Sequence, residues 1–388
     1  MTLDPAGTAR EAARAGLRGA LDITDGPAGI TIRRLPGWAQ DQFGGDPALA
    51  AANATASGVR LEYRTDASWL ELHLTFTRES AAWRWRPLQP AAVGMSTSDG
   101  LTGSLLFHEG DVLETFPDGS STLTPGTPSV ARFDFPGPRR ERTVTLWLPH
   151  RGTVLIHGVR SDAALHPAPA TAPRWIHYGS SISQSSHAET PLGVWPVIAA
   201  GALGLDLYSL GLAGSAHLDQ FAARTIRDQP AELITLKVGI NIINSASLRR
   251  RTFAPALHGF LDTVRDGHPT TPVVLVSPIY CPEHEEAPGP SRLVDGKFLA
   301  TDLPRRQGDG LLTLRDARAI IADAAARRGA ADPNLHYVDG LRLFGAGDAH
   351  LLPDRLHPDT EGYRLIGERF TALAAGSPWL PDAAGILS

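Results

Sequence analysis

The spacing of the apolar residues changes part-way along the chain, and this change constrains the fold more than any other feature. Up to about residue 165 the apolar positions recur every second residue. In LELHLTF, Leu70, Leu72, Leu74 and Phe76 share one face, and Glu71, His73 and Thr75 share the other. That is the pattern of a half-buried strand. Val59, Leu61 and Tyr63 repeat it before a TDAS turn, and Val144, Leu146 and Leu148 repeat it again, with Val154 and Ile156 beyond a PHRG turn. Short strands punctuated by Gly, Pro and Asp predict an antiparallel β-sandwich over residues 1–165, with no long helical pattern after about residue 20.

The segment HPAPATAP (166–173) has little to bury and is expected to be a short, stiff linker. Beyond it the rhythm is different. Strand candidates RWIHYG (174–179), LDLYSLG (205–211), LITLKVG (233–239), PVVLVSP (272–278) and LHYVDG (335–340) alternate with helix-period stretches. Phe253, Leu257, Phe260, Leu261 and Val264 form one helical face, and Leu314, Ala317, Ile320, Ile321 and Ala324 form another. Strands alternating with helices predict an α/β domain over 174–388, a parallel sheet covered by helices on both faces. Ligands in such sheets bind beyond the carboxyl ends of the strands.

Composition narrows the function. A net charge of −5 over 388 residues gives no broad basic field, which argues against a nucleic-acid partner. The single cysteine, Cys281, can form no internal disulfide, and no Cys/His cluster has zinc spacing. The first twenty residues hold no long apolar run, and no run of 18 apolar residues occurs, so neither a signal peptide nor a membrane span is expected and the expected location is cytoplasmic.

Four strand ends or following loops carry chemistry-bearing residues. In YGSSIS (178–183), Gly179 permits a tight turn and the serines follow where helix N–H groups are unpaired; serines there also serve as helix caps. LGLAGSAH (210–217) places glycines at 211 and 214, where backbone can approach a ligand or simply turn. KVGIN (237–241) ends in Asn241, whose amide can donate to an oxyanion or cap a turn. In PDRLHPDTEGY (353–363), Asp354 and His357 share one proline-stiffened turn, and Asp359 is placed to cap the last helix.

The order Gly-x-Ser, Gly, Gly-x-Asn, Asp-x-x-His resembles the four blocks of the SGNH hydrolase family, also called GDSL lipases or esterases. The resemblance covers roughly 174–375. It implies an SGNH-type three-layer α/β/α catalytic domain. It also implies that Ser181 is the nucleophile, that His357 and Asp354 are its base and orienting acid, and that Ser181, Gly214 and Asn241 form the oxyanion hole. The family's usual Gly-Asp-Ser is Gly179-Ser180-Ser181 here, which leaves a question of register between two serines. The β-rich first half resembles the sandwich that precedes the catalytic domain in some actinobacterial GDSL enzymes, a salicylyltransferase of tetracycline-type polyketide assembly among them, and in sandwich-bearing carbohydrate esterases.

What the resemblance implies is acyl transfer through an acyl-Ser181 intermediate, from a small-molecule ester or thioester. Acyl-CoA is a candidate donor, an alcohol of polyketide type is a candidate acceptor, and neither cofactor nor metal is needed. The alternative is hydrolysis of a carbohydrate or other small ester to water, with the sandwich as a sugar-binding module using Trp83, Trp85 or Trp147. Those tryptophans are equally explained as packing, and the favoured expectation is that the first domain shapes the pocket. The HEE at 284–286 lacks further ligands for a metal. The stretch from Cys281 to Gly310 is either an active-site cover or a solvated excursion.

Overall fold

The computed structural model describes residues 5–81, 88–301 and 309–381. Trp83 and Trp85 lie outside the described residues. The chain forms two compact units. One comprises residues up to Gly37, Asn53–Ala170 and Glu189–Leu192; the other comprises Trp38–Ala52, Thr171–Ala188 and the rest from Gly193.

In the first unit, alternating residues build two sheets on one core. Arg60–Thr65 pairs antiparallel with Arg142–Trp147, placing Tyr63 opposite Val144 and Leu61 opposite Leu146. In the other sheet, Trp69–Ser80 pairs with Thr153–Ser161 and with Ser129–Asp134, so Leu72 lies opposite Val159 and Ala131. These inward side chains join a single buried cluster containing Leu61, Tyr63, Leu72, Leu74, Val144 and Ile156. Burying each large apolar side chain contributes roughly 1.5–3 kcal/mol.

Some features depart from the sequence-based expectation. Trp69–Ser80 and Asp111–Thr115 run parallel rather than antiparallel. Helical segments Gly37–Gln42 and Pro47–Ala54 interrupt the strands. The start of the proline-rich stretch is paired as well: His166–Pro167 adds to Arg60–Thr65, and Ala168 is buried.

The main sheet of the second unit has, among the described residues, five strands, all parallel, in the order Asp206–Gly211, Arg174–Gly179, Leu233–Lys237, Val273–Val276, Leu335–Val338. Asp206–Gly211, Leu233–Lys237 and Val273–Val276 are buried at every position, as strands covered on both faces are. The chain steps from the first strand to one side, then returns to extend the other side. The order therefore reverses between Arg174–Gly179 and Leu233–Lys237, where a crevice opens at the carboxyl ends.

Successive residues of the Arg174–Gly179 strand meet different helices. Trp175 stacks on Phe370 of helix Thr360–Ala375 at 5.2 Å, and Tyr178 stacks on Phe260 of helix Arg250–Gly267 at 5.3 Å. Local signals fix the helix starts. Thr313 and Asp316 bond each other's backbone N–H reciprocally at the start of Leu314–Gly329, and Asp359 accepts from Gly362 N at 2.9 Å at the start of Thr360–Ala375. No helix among the described residues is long and apolar enough to cross a membrane.

Candidate active site

The turn that carries Ser181 is built by a glycine and a cap. A Cβ on Gly179 would lie 2.1 Å from Ser183 Oγ, so only glycine lets the strand fold back onto the helix that follows it. Ser180 takes the N-cap of helix Ser181–Gln184, its hydroxyl accepting from Ile182 N at 3.2 Å. Ser181 therefore occupies the first helical position, where its N–H has no intrahelical acceptor. Its Oγ stands 2.8 Å from His357 Nε2.

The acid–base half comes from one turn. His357 Nδ1 bonds Asp354 Oδ2 at 2.7 Å, while Asp354 Oδ1 accepts from the backbone N–H of Leu356 and His357 at 3.0 and 2.7 Å. Burial alone would raise the Asp354 carboxyl, but the hydrogen bond and charge of His357 outweigh it and hold it at about 2. The carboxylate bonded at Nδ1 orients the ring so that Nε2 faces the Ser181 hydroxyl.

Two more strand-end loops are tied to helix Ser181–Gln184, the second through the first. Gly214 adopts φ +72° with open space where a Cβ would be, so its conformation rather than crowding calls for glycine. Gln184 Oε1 accepts from Ala213 N at 3.2 Å, tying that loop to the nucleophile helix. Asn241, buried, accepts from Ala216 N at 3.1 Å through Oδ1, which leaves its NH₂ as the donating end. Three strand-end loops thus hold one another in the crevice.

Beneath them runs a buried polar chain that sequence reasoning missed. Trp175 Nε1 donates to Thr235 Oγ1 at 2.8 Å, and His177 reaches Thr235 Oγ1 at 2.6 Å and Ser183 Oγ at 2.7 Å. Burial, with Lys237 nearby, pushes His177 down to about 3 and keeps it neutral. Lys237 itself is pushed down to about 7 by burial.

The stretch after Cys281 reaches the site. Ser291–Val294 and Lys297–Ala300 form a hairpin, and Phe298 sets its ring edge-on to His357 at 5.4 Å while its N–H bonds Asp354 O at 2.9 Å. Cys281 Sγ donates to Arg355 O at 3.1 Å, and burial pushes this thiol up to about 12. Asp295-Gly296 between apolar flanks is a short-range hairpin signal in the sequence. The HEE acids are taken by ion pairs, Glu285 with Arg318 and Glu286 with Arg315, and His284 bonds Ser291 Oγ at 2.6 Å.

His187 is a further functional candidate without a sequence signal. Its ring stacks on His357 at 4.9 Å and 14°, and its Nε2 is 3.6 Å from Asp354 Oδ2. Donor atoms of His187, Asp354 and His357 lie within 4.8 Å of one another. The near-parallel rings keep their in-plane lone pairs from converging on a single point, which suits proton exchange better than metal coordination. In the first unit, Trp147 is buried, donating to Ser96 Oγ at 3.2 Å with the Arg60 guanidinium 5.1 Å above its ring. It offers no open face to a sugar.

Known proteins share this fold. Residues 177–365 match the model of the GDSL-like Lipase/Acylhydrolase family. No curated relative matches by sequence. Among solved structures, the salicylyl-acyltransferase SsfX3 from a tetracycline biosynthetic pathway is similar with a TM-score of 0.76 and 28% identity, over 94% of this chain and 96% of that one. A family two carbohydrate esterase from Clostridium thermocellum is similar in fold, with a TM-score of 0.58 and 12% identity over 94% and 99%. One from Cellvibrio japonicus has a TM-score of 0.53 and 14% identity over 97% and 98%.

Proposed function

We propose, from a chain whose C-terminal region is a GDSL-like lipase/acylhydrolase domain and which acts on esters as a serine hydrolase or acyltransferase, that Ser181 carries the acyl group. The observation that carries the reading is the unbroken relay from Ser181 Oγ through His357 to Asp354, at 2.8 and 2.7 Å. His357 Nε2 takes the Ser181 proton as Oγ attacks the carbonyl carbon of an ester or thioester. The carbonyl electrons move to oxygen, where the Ser181 and Gly214 N–H groups and the Asn241 amide are the proposed donors. One such donor is typically worth about 10²–10³ in rate. His357 then returns the proton to the leaving alcohol or thiol, leaving acyl-Ser181. An acceptor hydroxyl gives its proton to His357 and attacks the acyl carbon; the bond to Ser181 Oγ breaks as His357 passes that proton to it, restoring the free serine.

We favour an alcohol as acceptor, making the enzyme an acyltransferase for a small molecule, with an activated ester or thioester such as an acyl-CoA as donor. Likeness to the salicylyl-acyltransferase along nearly the whole chain supports this reading. In it, the catalytic region is a three-layer α/β/α domain and the first unit a β-sandwich. The finding that Trp147 is buried weighs against the sugar-module alternative. Incubation with an acyl thioester, with and without alcohol acceptors, tests it. New ester formed faster than free acid is the expected product; free acid alone, whatever alcohol is supplied, makes the enzyme an esterase.

A further inference from the structure

We propose that His187 is a positioning residue that competes with His357 for Asp354 and makes the relay sensitive to one extra proton; this rests on the Ser181–His357–Asp354 reading above. Both rings address the same carboxylate oxygen, His357 Nδ1 at 2.7 Å and His187 Nε2 at 3.6 Å from Asp354 Oδ2. The rings are also stacked, with centroids 4.9 Å apart. The His187 side chain is 36% exposed, so it can exchange protons with solvent, whereas the His357 side chain is 4% exposed.

Among the described contacts, Asp354 and His357, both from the 354–357 turn, are titratable groups that face His187. From its own loop, Ser186 Oγ lies 3.4 Å from Nδ1, and from the last helix Thr360 Oγ1 donates to its carbonyl at 3.5 Å. On the other side of the relay, Phe298 meets His357 edge-on and brings no charge.

Catalysis requires His357 to become imidazolium as it takes the Ser181 proton, with Asp354 as its counter-charge. A proton on His187 claims that counter-charge and places a second positive charge against the stacked ring. Two like charges so close disfavour each other. The relay then stalls when either ring is protonated beforehand, although only His357 moves the proton. Removing the His187 charge consequently extends activity to lower pH.

The test is the pH profile of kcat/KM on a small soluble ester for full-length wild type, His187→Gln and His187→Phe. The second variant keeps a stacked ring without a charge, and so covers the case in which the first does not fold. The expected result is an acid limb displaced to lower pH, so that activity at pH 5 relative to each protein's own plateau rises several-fold. A limb that stays in place or moves to higher pH overturns the proposal, including where only the plateau falls, which is the mark of a structural role. Failure of the underlying relay is separately visible: Ser181→Ala would then retain activity.

Discussion

Ser180 and Ser181 are neighbours in sequence with separate partners: the Ser180 hydroxyl accepts from Ile182 N at 3.2 Å, and the Ser181 hydroxyl lies 2.8 Å from His357 Nε2. The first predicts a cap and the second a nucleophile. A fluorophosphonate probe should label wild type and Ser180→Ala but not Ser181→Ala. Ser180→Ala should cost about 0.5–2 kcal/mol of stability, the usual worth of a cap. Labelling that survives in Ser181→Ala and disappears in Ser180→Ala would reverse the assignment.

Asp354 should govern both activity and acid stability. Asp354→Asn is expected to lower kcat by about 10⁴, the loss seen when the orienting acid of a Ser-His-Asp relay is neutralised. The carboxyl is held at about 2 against an ordinary 3.8. The folded state therefore gains from its ionisation at neutral pH, by on the order of 2 kcal/mol, and loses that gain as pH falls through about 4 to 2. Urea midpoints measured between pH 6 and 2 should drop further for wild type than for Asp354→Asn. Parallel curves would mean that the carboxylate is no better held in the folded chain than in the unfolded one.

Lys237 should be a destabilising residue. Burial pushes it down to about 7 from an ordinary 10.5, so the unfolded chain binds a proton that the folded chain gives up. Stability contributed by this site rises with pH between about 7 and 10.5, and below 7 the fold bears the full cost of a buried ammonium. Lys237→Met should raise the unfolding free energy at pH 6 by on the order of a few kcal/mol, seen as a higher thermal midpoint, with the advantage shrinking as pH approaches 10. A lower midpoint for Lys237→Met at pH 6 would show that the amine is compensated.

Cutting the chain at residue 170 should harm the second unit. Residues 38–52 cluster with it: Phe43 meets Phe221 at 5.3 Å, the Arg224 guanidinium lies 5.1 Å over the Trp38 ring, and Gln42 bonds Arg224. A fragment of residues 170–388 uncovers Phe221 and Arg224 and should melt lower than the full chain by calorimetry. A fragment with the parent's melting point would show that the early segment contributes nothing there.

The five parallel strands were legible to within two residues because each is a closed apolar run, and such runs have few alternatives. That Ser181, His357 and Asp354 come together was legible because strand-end order narrows a long list of serines and histidines. What was not legible has physical reasons. Trp195–Leu203 is apolar nearly throughout, so no face stands out. His187 and Phe298 reach His357 from loops, where no period constrains direction. The grouping of residues 38–52 with a unit that mostly follows residue 170 depends on contacts distant in sequence, which local pattern does not encode.

The relay is half local and half remote: Asp354 and His357 are three residues apart, and Ser181 is 176 residues from His357. The carboxylate–imidazole half can form within a single turn of an otherwise immature chain. The hydroxyl arrives only after the Arg174–Gly179 and Leu233–Lys237 strands have closed a long loop, the slow part of assembling a parallel sheet. Recovery of turnover after dilution from denaturant would therefore time the end of sheet assembly, not its onset, and make the enzyme its own folding clock.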